Sequence, residues 1–100
     1  MIKDNESMVK VLHAIDKEAE TSQSNIAKKV DISAGKVNYI LKELCKKGII
    51  KTQRFLNSKH KWAYRYILTP IGIKEKSRIT KEFVKRKMAE YEELLESDEL

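Results

Sequence analysis

The residues of this sequence best placed to do chemistry are Ala34, Gly35, Lys36, Asn38, Tyr39, Lys42 and Lys46. They are the positions left facing outward when Val37, Ile40, Leu41 and Leu44, spaced i, i+3, i+4, i+7, form the buried stripe of a helix. The chemistry they offer is recognition of a polyanion rather than bond-making. Ala34 and Gly35 are small, so the helix N-terminus, with its free N–H groups and positive dipole end, can come close to a phosphate. Asn38 can pair bidentately with adenine, and Lys36 with the acceptors of guanine. Tyr39 can bond a phosphate or stack on sugar and methyl groups. Lys42 and Lys46 lie further along, where backbone phosphates would be met, contacts that position without specifying sequence. Upstream, Ser22, Gln23 and Ser24 are further candidates for phosphate. Downstream, Arg54 and the basic run Lys59, His60, Lys61 suit a backbone or an adjacent minor groove. The competing readings are plainer: lysines on a helix are often only solvated, and Tyr39 would also fit the rim of a core.

The elements that must position these side chains can be read from the same stretch. Residues 22–48, SQSNIAKKVDISAGKVNYILKELCKKG, spell helix, tight turn, helix. Ile26, Ala27 and Val30 share one face of the first of these helices, with Thr21 or Ser22 as its cap. Asp31-Ile32 is a polar-then-apolar turn that still plugs a core. Ser33 is the N-cap of the second helix, over residues 33–47, and Gly48 supplies the left-handed stop. Two helices joined by so short a turn form a helix-turn-helix, whose second helix can enter a major groove.

A helix over residues 6–19 precedes this unit, with Met8, Val11, Leu12, Ile15 and Ala19 at helical spacing. His13 within it reads as a packing or surface residue, since no second metal-type residue has matching spacing. After Gly48 the period changes to two. Residues 49–56 and 62–69 are rich in β-formers and flank the polar turn 57–61, a hairpin with a basic tip. Tyr64, Tyr66 and Leu68 alternate onto one face, the expected core face, and Arg65 points the other way. Trp62 reads as a core residue rather than a stacking platform. Thr69-Pro70 then caps and starts a final helix to about Glu96, about 40 Å long at 1.5 Å per residue. Ile71, Ile73 and Ile79 are expected to pack on the domain. Val84, Met88, Tyr91 and Leu95, spaced 4-3-4, form a short seam for a partner helix, most cheaply its own copy across a two-fold axis. The alternative is that this helix folds back on its own domain.

Composition bounds the possibilities. One hundred residues with 41% hydrophobic content make one modest globular unit. The net charge is +6, but residues 89–100 carry six acids and no base; the first 88 residues therefore hold 21 bases against nine acids, a net of +12. Such a basic body attracts nucleic acid first, the plainer alternative being a lysine-rich solvated surface. The single cysteine, Cys45, excludes an intramolecular disulfide and a cysteine zinc cluster. It reads as a buried structural thiol beside the apolar stripe rather than a redox sensor, although Lys46 and Lys47 would favour thiolate. No apolar run of about 18 residues is present, so no transmembrane helix is expected, and the charged N-terminal stretch is unlike a signal peptide. No glycine-rich phosphate loop, paired carboxylates, metal cluster or nucleophilic triad stands out, so neither an enzyme nor a cofactor is expected.

The stretches SQSNIAKKVDISAGKVNYILKELCKKGIIK, YRYILTPIGIKEKSRIT and FVKRKMAEYEEL resemble the exopolysaccharide-associated regulators of the MarR type. The likeness runs from the first helix to the acidic tail and is most specific in S-x-GKVNY and LTP-x-G-x-x-EK-x-x-x-T. It implies a cytosolic transcription factor, linked to genes for surface polysaccharide, whose recognition helix carries Ser33, Ala34, Gly35, Lys36, Asn38 and Tyr39. Asn57-Ser58-Lys59-His60-Lys61 stands where MarR wings carry an acidic residue and an arginine. The flanking dimer helices of that type are reduced to one.

The expectation is thus a mainly α fold with a small β-hairpin: a winged helix-turn-helix over 1–69, followed over 70–100 by a long C-terminal dimerisation helix with an acidic tail. The expected function is a cytoplasmic, homodimeric, sequence-specific regulator that binds double-stranded DNA and no membrane. The alternative is a winged-helix protein–protein module without DNA contact.

Overall fold

A computed structural model describes residues 5–17 and 22–97. Helices α1 (Asn5–Lys17), α2 (Gln23–Val30) and α3 (Ala34–Lys46) are followed by strands β1 (Ile50–Leu56) and β2 (Trp62–Leu68) and by helix α4 (Pro70–Ser97). This is the predicted four-helix, one-hairpin order. Ala19 and Thr21, expected at the end of the first helix and as a cap, lie outside the described residues.

Each helix buries the stripe its spacing dictates. Met8, Val11, Leu12, Ala14 and Ile15 of α1 meet Ile26 of α2 and Val37, Ile40, Leu41 and Leu44 of α3. Ile32 in the turn packs against the same core, as the polar-then-apolar pair requires. The turn itself is made at Asp31, which takes a left-handed backbone (φ 55) that aspartate tolerates better than most residues. At the far end of α3, Gly48 (φ 71) closes the helix: its N–H donates to the Cys45 carbonyl, and the Ile49 N–H donates to that of Leu44, both at 3.0 Å. These are the paired bonds of a Schellman stop, and the two residues whose apolar contact commonly accompanies it, Leu44 and Ile49, are both buried.

The strands pair antiparallel, with Ile50 opposite Leu68 at the base and Leu56 opposite Trp62 at the tip. Opposite residues share a face, so Ile50, Leu68, Tyr66, Tyr64, Arg54, Leu56 and Trp62 all lie on one side of the hairpin. Only the base of that side covers the core, through Ile50, Tyr66 and Leu68. Tyr64 is 66% exposed and Trp62 59% exposed, which corrects the expectation that both are core residues. The alternation holds, but the hairpin runs past the edge of the domain. Arg65, on the other side, donates to Gln53 Oε1 at 2.9 Å and lies over the Phe55 ring.

A second correction concerns the start of α4. Ile71 and Ile73 are each 62% exposed. The buried residues of that face are Gly72 and Ile79, seven positions and so nearly two full turns apart; Ile71 and Ile73 flank it about 100° to either side. The face is held close by backbone. Thr69 caps α4, its hydroxyl oxygen accepting the Gly72 N–H at 3.0 Å while the hydroxyl reaches the carbonyls of Gly48 and Ile49. His13 ties α1 to the same helix through Thr80, Nε2 to Oγ1 at 3.3 Å. Beyond Phe83 every described residue of α4 but Lys87 is exposed, so the helix runs out from the body. The radius of gyration, 16.2 Å, exceeds the roughly 13 Å of a compact chain of this length for that reason.

Candidate nucleic-acid interface

The outward face of α3 is the one its buried stripe leaves over. Ala34, Gly35, Lys36, Lys42 and Lys46 are exposed, Tyr39 is 49% exposed, and Asn38 is half-buried. Gly35 has open space where a Cβ would stand: beyond its own helical backbone and chain neighbours, nothing lies within 4 Å. The fold therefore has no steric need of glycine there. Lys46 sits 3.5 Å from Glu43, an exposed pair of the kind that contributes little to stability.

The start of α2 is joined to the start of α3. The Gln23 side chain donates to the Ala34 carbonyl at 3.4 Å, which sets Ser22, Gln23 and Ser24 beside Ser33 and Ala34. Ser22 and Ser33 are both helix caps: their hydroxyl oxygens accept the N–H groups of Asn25 and Lys36 at 3.2 and 3.3 Å. A serine hydroxyl that accepts in this way can also donate, for example to a phosphate oxygen. Ser24 is exposed at the same end.

The wing tip is a built turn. Asn57 Oδ1 accepts the backbone N–H groups of Lys59 (2.9 Å) and Lys61 (3.1 Å), the Asn57 carbonyl accepts that of His60, and the Asn57 N–H donates to the Lys61 carbonyl. His60 takes a left-handed backbone, φ 57. The side chains of Lys59, His60 and Lys61 are thus turned outward and exposed. Arg54 is exposed too, its guanidinium 4.1 Å from the centroid of the Trp62 ring.

Cys45 is exposed, not the buried thiol expected. It lies one position past the fully buried Leu44, where the stripe has already turned away. Partial burial still pushes its thiol up from 9.0, the opposite of the thiolate activation that Lys46 and Lys47 suggested. The Tyr66 phenol is raised as well, by burial first and then by the nearby Cys45.

Two features escape the sequence reading. Leu56, Trp62 and Tyr64 form an exposed apolar side to the wing, and Leu94 adds to the exposed row of Val84, Met88, Tyr91 and Leu95 on α4. Strand alternation tells which side a residue faces but not where the core beneath it ends, so the first cannot be found by pattern alone. Among the described residues no cluster of His, Cys, Asp and Glu could hold a metal ion, and no helix is long and apolar enough to cross a membrane.

The winged helix-turn-helix DNA-binding family matches residues 4–51. No curated protein matches this chain. Solved structures do. A point mutant of Staphylococcus aureus MepR superposes with a TM-score of 0.65 at 20% identity, covering 97% of this chain and 74% of that one. Staphylococcus aureus MarR, solved with salicylate and kanamycin, gives 0.60 at 21% identity over 86% of this chain but only 56% of its own. The putative transcriptional regulator TA0346 of Thermoplasma acidophilum gives 0.65 at 17% identity, covering 84% and 86%. At such identities the likeness establishes the fold alone, a winged helix-turn-helix with a long C-terminal helix.

Proposed function

We propose that this chain is a cytoplasmic, homodimeric, DNA-binding transcriptional regulator. It reads a duplex with α3 and a basic wing and associates with its copy through α4. The observation that carries the reading is the composition of the outward face of α3: Lys36, Asn38 and Tyr39, polar, basic and accessible, on a helix anchored by four buried aliphatic residues. A protein–protein winged helix would instead turn an apolar or acidic face outward. In this reading Lys36, Asn38 and Tyr39 meet base edges and sugars. Ser22, Gln23, Ser24, Ser33 and Lys42 meet phosphates at the start and middle of the helix-turn-helix. Arg54, Lys59, His60 and Lys61 follow the neighbouring backbone or minor groove. The motif resemblance supports surface-polysaccharide genes as the targets.

The test begins with selection of bound sequences from a random duplex pool, then compares wild type with Lys36→Ala and Tyr39→Ala on the selected site. Each variant should bind roughly tenfold more weakly, within the range for loss of a base contact, with an unchanged melting temperature. Wild-type affinity in both variants would remove α3 as the reading element.

A further inference from the structure

The side of the wing that carries Arg54 also carries apolar residues, which the electrostatic reading leaves unused. Leu56, Trp62 and Tyr64 stand exposed together on the face that, closer to the base, covers the core. The indole, the phenol and the isobutyl group all lie past the core edge, so none of them adds to the core of the described residues. Their surroundings are cationic: Arg54 lies on the indole itself, and Lys59, His60 and Lys61 form the adjoining tip. An apolar aromatic surface ringed by fixed positive charge fits a surface of apolar sugars edged by anionic phosphates, which is how a duplex presents the walls of its minor groove.

We propose that Trp62 and Tyr64, with Leu56, are direct DNA contacts of the wing, packing on deoxyribose and base edges of the minor groove. Arg54, stacked on Trp62, fixes the indole and presents its N–H edge to the flanking phosphate. The proposal rests on the DNA-binding reading above and extends it: the wing grips by apolar packing as well as by charge.

Trp62 is the chain's single tryptophan, so its emission is a native probe of this face. Titration of the full chain with the selected duplex should quench and shift that emission at the concentrations where a gel-shift reports binding. Trp62→Ala should bind roughly tenfold more weakly, as for truncation of a buried aromatic anchor, while Trp62→Phe keeps most of the affinity. The salt slope should stay at its wild-type value in Trp62→Ala, whereas Lys59→Ala should lower it by about one. Duplex binding with unaltered emission and full affinity in Trp62→Ala would overturn the wing proposal and leave the α3 reading standing. A protein that binds no duplex at low salt would overturn both. Emission that changes with protein concentration alone would assign the patch to a second copy of the chain and overturn the DNA contact.

Discussion

Two glycines separate what the fold needs from what a ligand needs. At Gly72 a Cβ would stand 1.8 Å from the Ile49 carbonyl oxygen, a backbone atom that moves only if α4 lifts from the body. At Gly35 a Cβ would meet nothing. Gly72→Ala should therefore lower stability by about 3 kcal/mol, the upper part of the range for overpacking a tight contact, read as a shift of the urea midpoint. Gly35→Ala should hold or raise stability by up to about 1 kcal/mol, since alanine is the better helix former. If α3 meets DNA end-on, the same Gly35→Ala change weakens duplex binding, because the added methyl fills the space a phosphate would approach. Gly35 is singled out in the sequence by its place at a helix start. Gly72 is visible there only as part of the LTP-x-G resemblance, because the carbonyl it clears belongs to a residue 23 positions earlier.

At the scale of elements, the helix-turn-helix is legible in the sequence and the reach of the wing is not. The stripe Val37, Ile40, Leu41, Leu44 leaves little freedom: once it is buried, the outward face of α3 follows from 3.6 residues per turn. The caps Ser22, Ser33 and Thr69 and the stop at Gly48 are equally plain, each being a local contact between near neighbours. The outer wing and the start of α4 depend instead on where one element ends against another. Tyr64 and Trp62 are apolar enough for a core that does not extend to them. Ile71 and Ile73 read as buried because they are isoleucines, whereas the approach through Gly72 rotates both aside. The wing tip itself hangs on one side chain, Asn57, whose Oδ1 accepts two N–H groups. Asn57→Ala should speed amide exchange at Lys59 and Lys61 and leave the melting temperature of the body within about 1 °C, since the tip contributes nothing to the core. Duplex affinity should fall with it, because the basic side chains lose their fixed direction. Unchanged exchange at both amides would mean that the His60 turn is held by backbone bonds alone.

For the molecule as a whole, the question is what the outer half of α4 is for. Its first turns complete the core through Gly72 and Ile79, and Arg78 locks the next turns by bridging Glu75 and Glu82 at 2.6 and 2.9 Å. The Glu75 carboxyl is held below its usual value chiefly by its hydrogen bond to Arg78. Past it, Val84, Met88, Tyr91, Leu94 and Leu95 stand exposed on a stretch that no other described element covers, the last at 68% exposure. A helix of this kind gains by meeting its own copy, which buries both apolar rows at once under a two-fold axis. Such a dimer also bears on recognition, because it would hold two α3 helices at a fixed spacing, and DNA half-sites repeat about every 34 Å. The double variant Met88→Glu with Leu95→Glu places two charges in each row without touching the core. It should sediment as a monomer at micromolar concentration, where the wild type should sediment as a dimer, with the melting temperature of the winged helix preserved. On a pseudo-palindromic site it should lose at least roughly tenfold in affinity, since the second half-site is no longer brought in by the first, while its affinity for a single half-site stays at the wild-type value. A wild-type chain that sediments as a monomer, or a double variant that still dimerises, would move the partner surface off α4.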